Sequence, residues 1–420
     1  MKGHVYKPKC KCKDKDGKSL SAKKCNCGAS WAYIVDVGTN PVTGQRKQKK
    51  KGGFKTKTEA QDHLAIFIAE NSQGTYVEEK KISFEDYAVE WIKEYELVRQ
   101  VKPGTVRVRN HEIGNLNKYM AKLRLKDITS DIYQKSLFSM KNELELADNT
   151  IDGIHRTGRM IFKRAVEKGI IKNDPTAAVT PPKSIATVEQ LENEKQLPNY
   201  LEKEELGLLL KYCKERGLEQ DYTIFWLLSY SGMRVGELCA LKWRNIDLEN
   251  GTIKITKTYY NPTNNVKNFL LVPPKTKKSI RKIIIDDDTI SRLKEHRIWQ
   301  DVIKNKYKDS YFEDDFVFVV TPNHKSKDVG YPIYIKLVEN RMDRLLKLSK
   351  LNTDLTPHSL RHTHVSLLAE AGVSLEQIMD RIGHSDDETT TMIYLHITEP
   401  RKKEASQKFQ ELMRSLPKSD

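Results

Sequence analysis

The densest chemistry in this chain lies in "TPHSLRHTHV", residues 356–365, which holds His358, Arg361, His362 and His364. In "RIGHSDDETTTMIYLHI", His384 stands ten positions before Tyr394. Earlier, Arg234 follows Gly232 in "SYSGMRVGELCALKW", and Lys275 sits in "PPKTKK". Each falls where one element should end and another begin. Arg234 precedes a short helix, whose outward N–H groups suit an anionic oxygen. His358 and Arg361, three apart, share a helix face. Two guanidinium forks, a lysine, imidazoles and a tyrosine fit phosphoryl transfer to tyrosine. The forks offset charge in a pentacoordinate transition state. The phenol forms a covalent ester. The lysine protonates a departing 5′ oxygen, and a histidine accepts the phenolic proton or donates to a non-bridging oxygen. Positioning and charge stabilisation supply most of the rate. Taken singly, these residues also have plain readings: "HSLRH" as core histidines, and Tyr394 as a packing aromatic beside Met392, Ile393 and Leu395. Order and spacing together favour the chemistry.

The elements around these residues form a domain over 200–420. "EKEELGLLLKYCKERG" and "DYTIFWLLSYSGMRVGELCALKW" read as helices, the second apolar enough to be buried. "GTIKITKTYY", "FLLVPPKTKK" and "SIRKIIID" read as a three-stranded sheet, with Lys275 at a hairpin between strands. The rest reads as mainly helical. Residues 180–199, with Pro181, Pro182 and Pro198, form a linker.

Residues 83–179 read as a bundle of four helices. Phe84, Tyr87, Ala88, Trp91 and Tyr95 share one face, and Ser83 with Asp86 forms a cap. Arg107, Arg109 and Arg159, with Arg156, Lys163 and Arg164, give it basic faces suited to a duplex backbone.

The chain has 420 residues, is 38% hydrophobic and carries a net charge of +16. Residues 1–60 hold 16 Lys+Arg against 4 Asp+Glu, so most of the excess lies at the N-terminal end. A solvated basic tail is one reading. A polyanion-binding module is the better one, because fold signals coincide with the charge. "WAYIVDVGTNPVTGQRKQKKKGGF" reads as a hairpin or meander. Its basic strand holds Arg46, Lys47, Lys49 and Lys50, and "TKTEAQDHLAIFIAENSQG" backs it as a helix. Such a sheet can lay a basic strand into a DNA groove. Ahead of it lie Cys10, Cys12, Cys25 and Cys27. Their two C-x-C pairs resemble a structural zinc knuckle; the alternative is four reduced thiols in a flexible lead-in. No apolar run approaches the roughly 20 residues that span a membrane, and the N-terminus has no apolar signal core. The chain is expected to be cytoplasmic with no membrane partner, and its fold class to be multidomain α+β.

Four segments resemble the tyrosine recombinases of the phage and integrative-element integrase type. "SYSGMRVGELCALKWRNIDLENGTIKI" resembles their first-Arg box, with Arg234 and the associated acidic Glu237. "PPKTKKSIRKIII" resembles the β-hairpin Lys box, with Lys275 as the active-site lysine and Lys277 and Lys278 as its alternatives. "TPHSLRHTHVSLLAEAGVSLEQIMDRIGHS" resembles the H-x-x-R and G-H boxes, giving His358, Arg361 and His384. "TTTMIYLHI" resembles the nucleophile box, giving Tyr394. The resemblance spans about 225–400, extends over 83–180 as a core-binding domain, and more loosely over 30–75 as an arm-site-binding domain within a module of residues 1–75. It implies a site-specific recombinase that cuts and rejoins double-stranded DNA through a 3′-phosphotyrosine and a Holliday junction, with no ATP or metal needed for catalysis. It also implies a homo-tetramer on core and arm sites, and an excision factor and a host DNA-bending protein as further partners in the nucleoid of a bacterial or phage-infected host. The tail "EPRKKEASQKFQELMRSL" reads as an amphipathic helix that packs on its own domain or on a neighbouring protomer. A type IB topoisomerase and a non-catalytic DNA-binding regulator are the alternative functions.

Overall fold

A computed structural model describes residues 3–8, 12, 28–39, 44–72, 81–184, 199–274, 277–322, 328–383, 388–398 and 410. The chain divides into two units, Met1–Ser184 and Ile185–Asp420. Both mix helices with small antiparallel sheets, the multidomain α+β class expected.

The first unit opens with strands β1 (Gly3–Tyr6), β2 (Trp31–Thr39) and β3 (Arg46–Phe54), followed by helix α1 (Lys57–Ser72). The strands pair antiparallel in the order β1-β2-β3. Alternation in β2 turns Trp31, Tyr33 and Val35 inward, against Phe54 and against Leu64 and Phe67 of α1. The register sets Val35 opposite Lys49 and Ile34 opposite Lys50. Arg46, Lys47 and Lys50 are exposed and Lys49 is half-buried. Arg46 also pairs with Asp36 across the bulged end of the ladder. Strand β1 has no counterpart in the sequence reading: "GHVY" is too short to show alternation. The cysteine-bearing segment therefore joins β1 to β2 and does not lie ahead of the sheet. Cys10, Cys25 and Cys27 lie outside the described residues; Cys12 is half-buried. Among the described residues, no group of His, Cys, Asp or Glu is arranged to hold a metal ion.

Among the described residues, four α-helices follow in this unit: α2 (Phe84–Arg99), α3 (Pro103–Met120), α4 (Ser130–Glu143) and α5 (Asp148–Glu167). Ser83 caps α2 by accepting from the Asp86 amide at 3.2 Å. Thr129 caps α4 through the Ile132 amide at 3.3 Å. Phe84, Tyr87, Leu116, Tyr133, Leu137 and Phe162 fill the core. Arg107 and Arg159 are exposed on the bundle. Arg109 departs from the expected pattern. Its Nη1 donates to Glu112 Oε2 and to Thr157 Oγ1, both at 2.7 Å. Glu112 is buried, and a buried carboxylate requires a counterion. Arg109 thus ties α3 to α5 inside the bundle and is not among the residues turned outward for a phosphate.

The second unit contains α6 (Lys203–Arg216), α7 (Asp221–Ser231), α8 (Val235–Cys239), α9 (Asp287–Lys306), α10 (Ile335–Ser349), α11 (Ser359–Glu370) and α12 (Leu375–Ile382). A further helix, α13, runs over 388–398. Helix α7 buries Ile224, Phe225, Leu227 and Leu228, as its apolar sequence requires.

The sheet differs from the expected one. Its strands are β4 (Ile246–Asp247), β5 (Thr252–Ile255) and β8 (Arg281–Ile284), in that order. The "FLLV" segment instead forms β7 (Leu270–Val272), which pairs with β6 (Thr258–Tyr260) as a separate hairpin. Asn261 closes the β6–β7 turn by donating to the Asn265 carbonyl at 2.8 Å. Pro273 and Pro274 follow β7 without N–H donors, so the ladder stops there. Lys275 therefore belongs to the connection from β7 to β8, not to a hairpin between paired strands, and its own position lies outside the described residues.

Among the described residues, no helix is long and apolar enough to cross a membrane. Residues 399–409 and 411–420, which hold most of the tail segment, lie outside the described residues.

Candidate active site

Helix α7 ends at Gly232, whose φ of +62° reverses the chain. A Cβ there would stand 2.6 Å from His364 Cδ2, so the turn needs glycine for both its backbone angle and its space. Arg234 follows as the N-cap of α8. Its amide donates to Glu237 Oε2 at 3.0 Å and its Nη1 to Oε1 at 3.1 Å. The same carboxylate receives Arg281 of β8, Nη1 to Oε1 at 3.1 Å and Nη2 to Oε2 at 2.9 Å. Burial alone would raise the Glu237 carboxyl. The Arg281 fork, and then Arg234, outweigh that and hold it below the ordinary carboxylate value.

Arg361, on the first turn of α11, is 1% exposed. Its Nη1 donates to the Gly232 carbonyl and its Nη2 to the Ile382 carbonyl, both at 2.6 Å. A guanidinium carries five N–H donors in a rigid fork, which lets one side chain serve two carbonyls. One of these lies two residues before Arg234 and the other two before His384. Arg361 therefore gathers the turn that starts α8 and the turn that ends α12. That second turn reverses at Gly383, φ +73°, where a Cβ would meet Arg281 Cδ at 2.8 Å and the Lys278 carbonyl at 3.2 Å. The β7–β8 connection thus comes up against the Gly383 turn. Lys277 begins a short 3₁₀ turn, Lys277–Ser279, and Lys278 is exposed there. His384 lies outside the described residues.

His358 is the exposed N-cap of α11, its ring edge-on to His362 at 4.8 Å. His364 points the other way and is the buried core histidine of the segment. Its Nδ1 lies 2.8 Å from the Ser229 carbonyl, and its Nε2 accepts from Arg381 Nε at 3.0 Å. This network assigns the neutral tautomer with hydrogen on Nδ1. Burial first, and the Arg381 charge second, push His364 down to about 3 from the usual 6.5. The unfolded chain protonates this ring below pH 6.5 while the folded one resists it, so stability falls as pH drops toward 3. We expect about 2.5 kcal/mol less stability at pH 4 than at pH 6 from this ring. Urea midpoints at the two pH values should show a flatter acid limb in His364→Gln; equal slopes would contradict the assignment.

Tyr394 lies on α13, half-buried, and packs with Ile393 against Val365, Ala369, Ile378 and Ile382. Its helix therefore rests on α11 and α12 of its own chain. Just before α6, the Leu201 amide donates to Thr363 Oγ1 at 2.9 Å, tying the lead-in of that helix to α11. Arg234, Glu237, Arg361 and their shared turns are thus assembled by α7, α8, α11, α12 and β8. Such a cluster can bind a phosphodiester through two guanidinium groups beside an α8 amide turn, with a phenol on the adjoining helix. Sequence reasoning missed Arg281 and Arg381, and named His364 without giving it a place of its own. Arg281 did leave a trace: alternation in "SIRKIII" puts it on the inward face with Ile283, where a cation requires a partner.

Three family models match separate stretches of the chain. Residues 199–401 match the Phage integrase family, 96–180 the Phage integrase SAM-like domain and 20–71 the Arm DNA-binding domain. The Prophage ps2 probable integrase of Lactococcus lactis subsp. lactis is 30% identical over 322 residues, which are 76% of this chain and 80% of that protein. The ICEBs1 integrase of Bacillus subtilis is 25% identical over 404 residues, 94% of this chain and 100% of that protein. Among solved structures, the Tn1549 transposon integrase in complex with transposon right-end DNA superposes with a TM-score of 0.57. It shares 20% identity, over 75% of this chain and 94% of that one. The chain belongs to the phage integrase family and is a tyrosine-type site-specific recombinase.

Proposed function

We propose that this recombinase integrates and excises a mobile element, with Tyr394 as nucleophile and Arg234, Arg361, His358, His384 and Lys275 around the scissile phosphate. The observation that carries this reading is the double grip of Arg361 on the Gly232 and Ile382 carbonyls. It draws the Arg234 turn and the turn before His384 toward one guanidinium, beside the helices that support Tyr394. Tyr394 Oη forms a bond to phosphorus as the P–O5′ bond breaks. The phenolic proton passes to an imidazole, and the leaving 5′ oxygen takes a proton from the lysine, Lys275 or its neighbours Lys277 and Lys278. The 5′-OH of a partner duplex later reverses these steps on the phosphotyrosine. One phosphoester replaces another, so the chemistry needs no ATP, and the two guanidinium groups supply the charge offset that a metal would otherwise give.

Two duplexes present four strands, and each strand consumes one tyrosine. Four protomers on DNA therefore meet the stoichiometry through a Holliday junction. The domains of residues 83–179 and 200–420 hold the core site, with Arg107 and Arg159 as backbone contacts. The module over residues 1–75 holds arm sites through Arg46, Lys47, Lys49 and Lys50. The reading also carries an excision factor and a host DNA-bending protein as partners, acting in a bacterial cytoplasm.

Product analysis tests it. Two attachment-site duplexes should yield recombinant joints; relaxed circles without joints would indicate a topoisomerase, and binding without either a regulator. Removing residues 1–75 should weaken arm-site binding by about 100-fold, through loss of the second foothold, while core cleavage stays within about threefold. Equal loss of core cleavage would contradict this division of labour, and gel shifts beside cleavage assays read both.

A further inference from the structure

Arg281 has no place in the chemistry above, yet all three of its guanidinium nitrogens donate hydrogen bonds beside Arg234. Its side chain is 5% exposed and that of Glu237 2%, whereas Arg234 is 34% exposed. Each Glu237 oxygen takes one bond from Arg281 and one from Arg234. Arg281 is itself fixed. Its Nε donates to the Arg381 carbonyl at 2.9 Å and its Nη1 to the Ser279 carbonyl at 3.3 Å. Its stem lies under Gly383, where a Cβ would meet Cδ at 2.8 Å.

The three groups comprise one carboxylate and two guanidinium groups, a net charge of +1. A buried carboxylate holds its nearest cation tightly. With Arg281 as the buried partner, Glu237 can orient Arg234 and still leave one positive charge in the cluster. We propose that Arg281 is a positioning residue: it neutralises Glu237, so that Glu237 aims Arg234 at the scissile phosphate without cancelling its charge. This rests on the phosphotyrosine reading above. Without Arg281, Arg234 becomes the carboxylate's remaining partner in the cluster and the net charge falls to zero.

The test uses the full-length chain with Arg281→Met, Arg281→Lys and Glu237→Gln, and the double variant Arg281→Met with Glu237→Gln. Adduct formation is timed on a nicked attachment-site duplex carrying either the natural scissile phosphate or a neutral methylphosphonate in its place. Thermal melting and gel shifts accompany each variant. Arg281→Met should slow adduct formation about 100-fold on the phosphodiester and less than about fivefold on the methylphosphonate, which starts neutral and gains one negative charge in the transition state where the phosphodiester carries two. Adding Glu237→Gln should recover at least about tenfold, because no carboxylate remains to be neutralised. Arg281→Lys, which keeps the charge but loses the fork, should fall between wild type and Arg281→Met. It keeps the test open if the Met variant does not fold.

Equal losses on the two substrates, or a double variant no faster than Arg281→Met, would overturn the assignment and reduce Arg281 to a packing role. Failure of the wild-type chain to form any adduct, or an adduct that forms equally well with Tyr394→Phe, would instead sink the phosphotyrosine reading itself.

Discussion

Tyr394→Phe is expected to abolish the covalent adduct, lowering strand cleavage by at least about 10,000-fold, while DNA affinity stays within about threefold. The change removes one oxygen and keeps the ring. The contacts that hold α13 come from Ile393 and the apolar part of Tyr394 against Val365, Ala369, Ile378 and Ile382, and they survive the substitution. The Thr398 hydroxyl donates to the backbone carbonyl of Tyr394 at 2.8 Å, not to its phenol, so that bond survives too. Loss should therefore be confined to the reaction. SDS gels of protein–DNA mixtures read the adduct, and gel shifts read binding. A parallel loss of affinity would mean that Tyr394 serves packing and that the nucleophile lies elsewhere.

Arg361→Ala is expected to lose both activity and stability. Cleavage should fall by about 1,000-fold or more, as for removal of a principal charge-stabilising group. Stability should fall by about 2–4 kcal/mol, because the Gly232 and Ile382 carbonyls lose buried donors and the side chain leaves a void. Arg361→Lys should recover part of the stability and little of the rate. A single ammonium is not a planar fork and does not bridge two carbonyls in fixed geometry. Urea unfolding beside adduct assays separates the two effects. Unchanged stability in Arg361→Ala would contradict the gathering role of this side chain.

Local patterns in the sequence carried much of this arrangement. Ser83 before an amphipathic run marked the start of α2, and the apolar face through Phe84, Tyr87 and Trp91 marked its buried side. The Gly232 break before Arg234 marked a helix boundary, and Gly383 another. These signals act within one or two helical turns, so they are legible without knowing the fold. The arrangement of Arg109, Arg281 and His364 was not legible in the same way. Arg109 reads as a surface cation until Thr157, 48 residues on, turns it inward. Arg281 meets Glu237 across 44 residues, and His364 meets Ser229 across 135. The β-rich segments were recognised as strands, but their pairing was not. Alternation says that a strand has two faces, and says nothing about which neighbour it joins. Alternation alone therefore does not separate β7, which pairs with β6, from the sheet of β4, β5 and β8. The turn chemistry of β7, with Asn261 bonding Asn265 and the proline pair after Val272, is what ties it to β6.

The most direct test of the proposed chemistry is covalent trapping. The full-length protein would be mixed with a nicked duplex drawn from the DNA flanking its own gene, with EDTA present and ATP absent. An SDS-resistant protein–DNA adduct whose proteolytic peptide carries the nucleotide on Tyr394 is the expected result. An adduct that maps to another residue, or one that forms equally well with Tyr394→Phe, would contradict it.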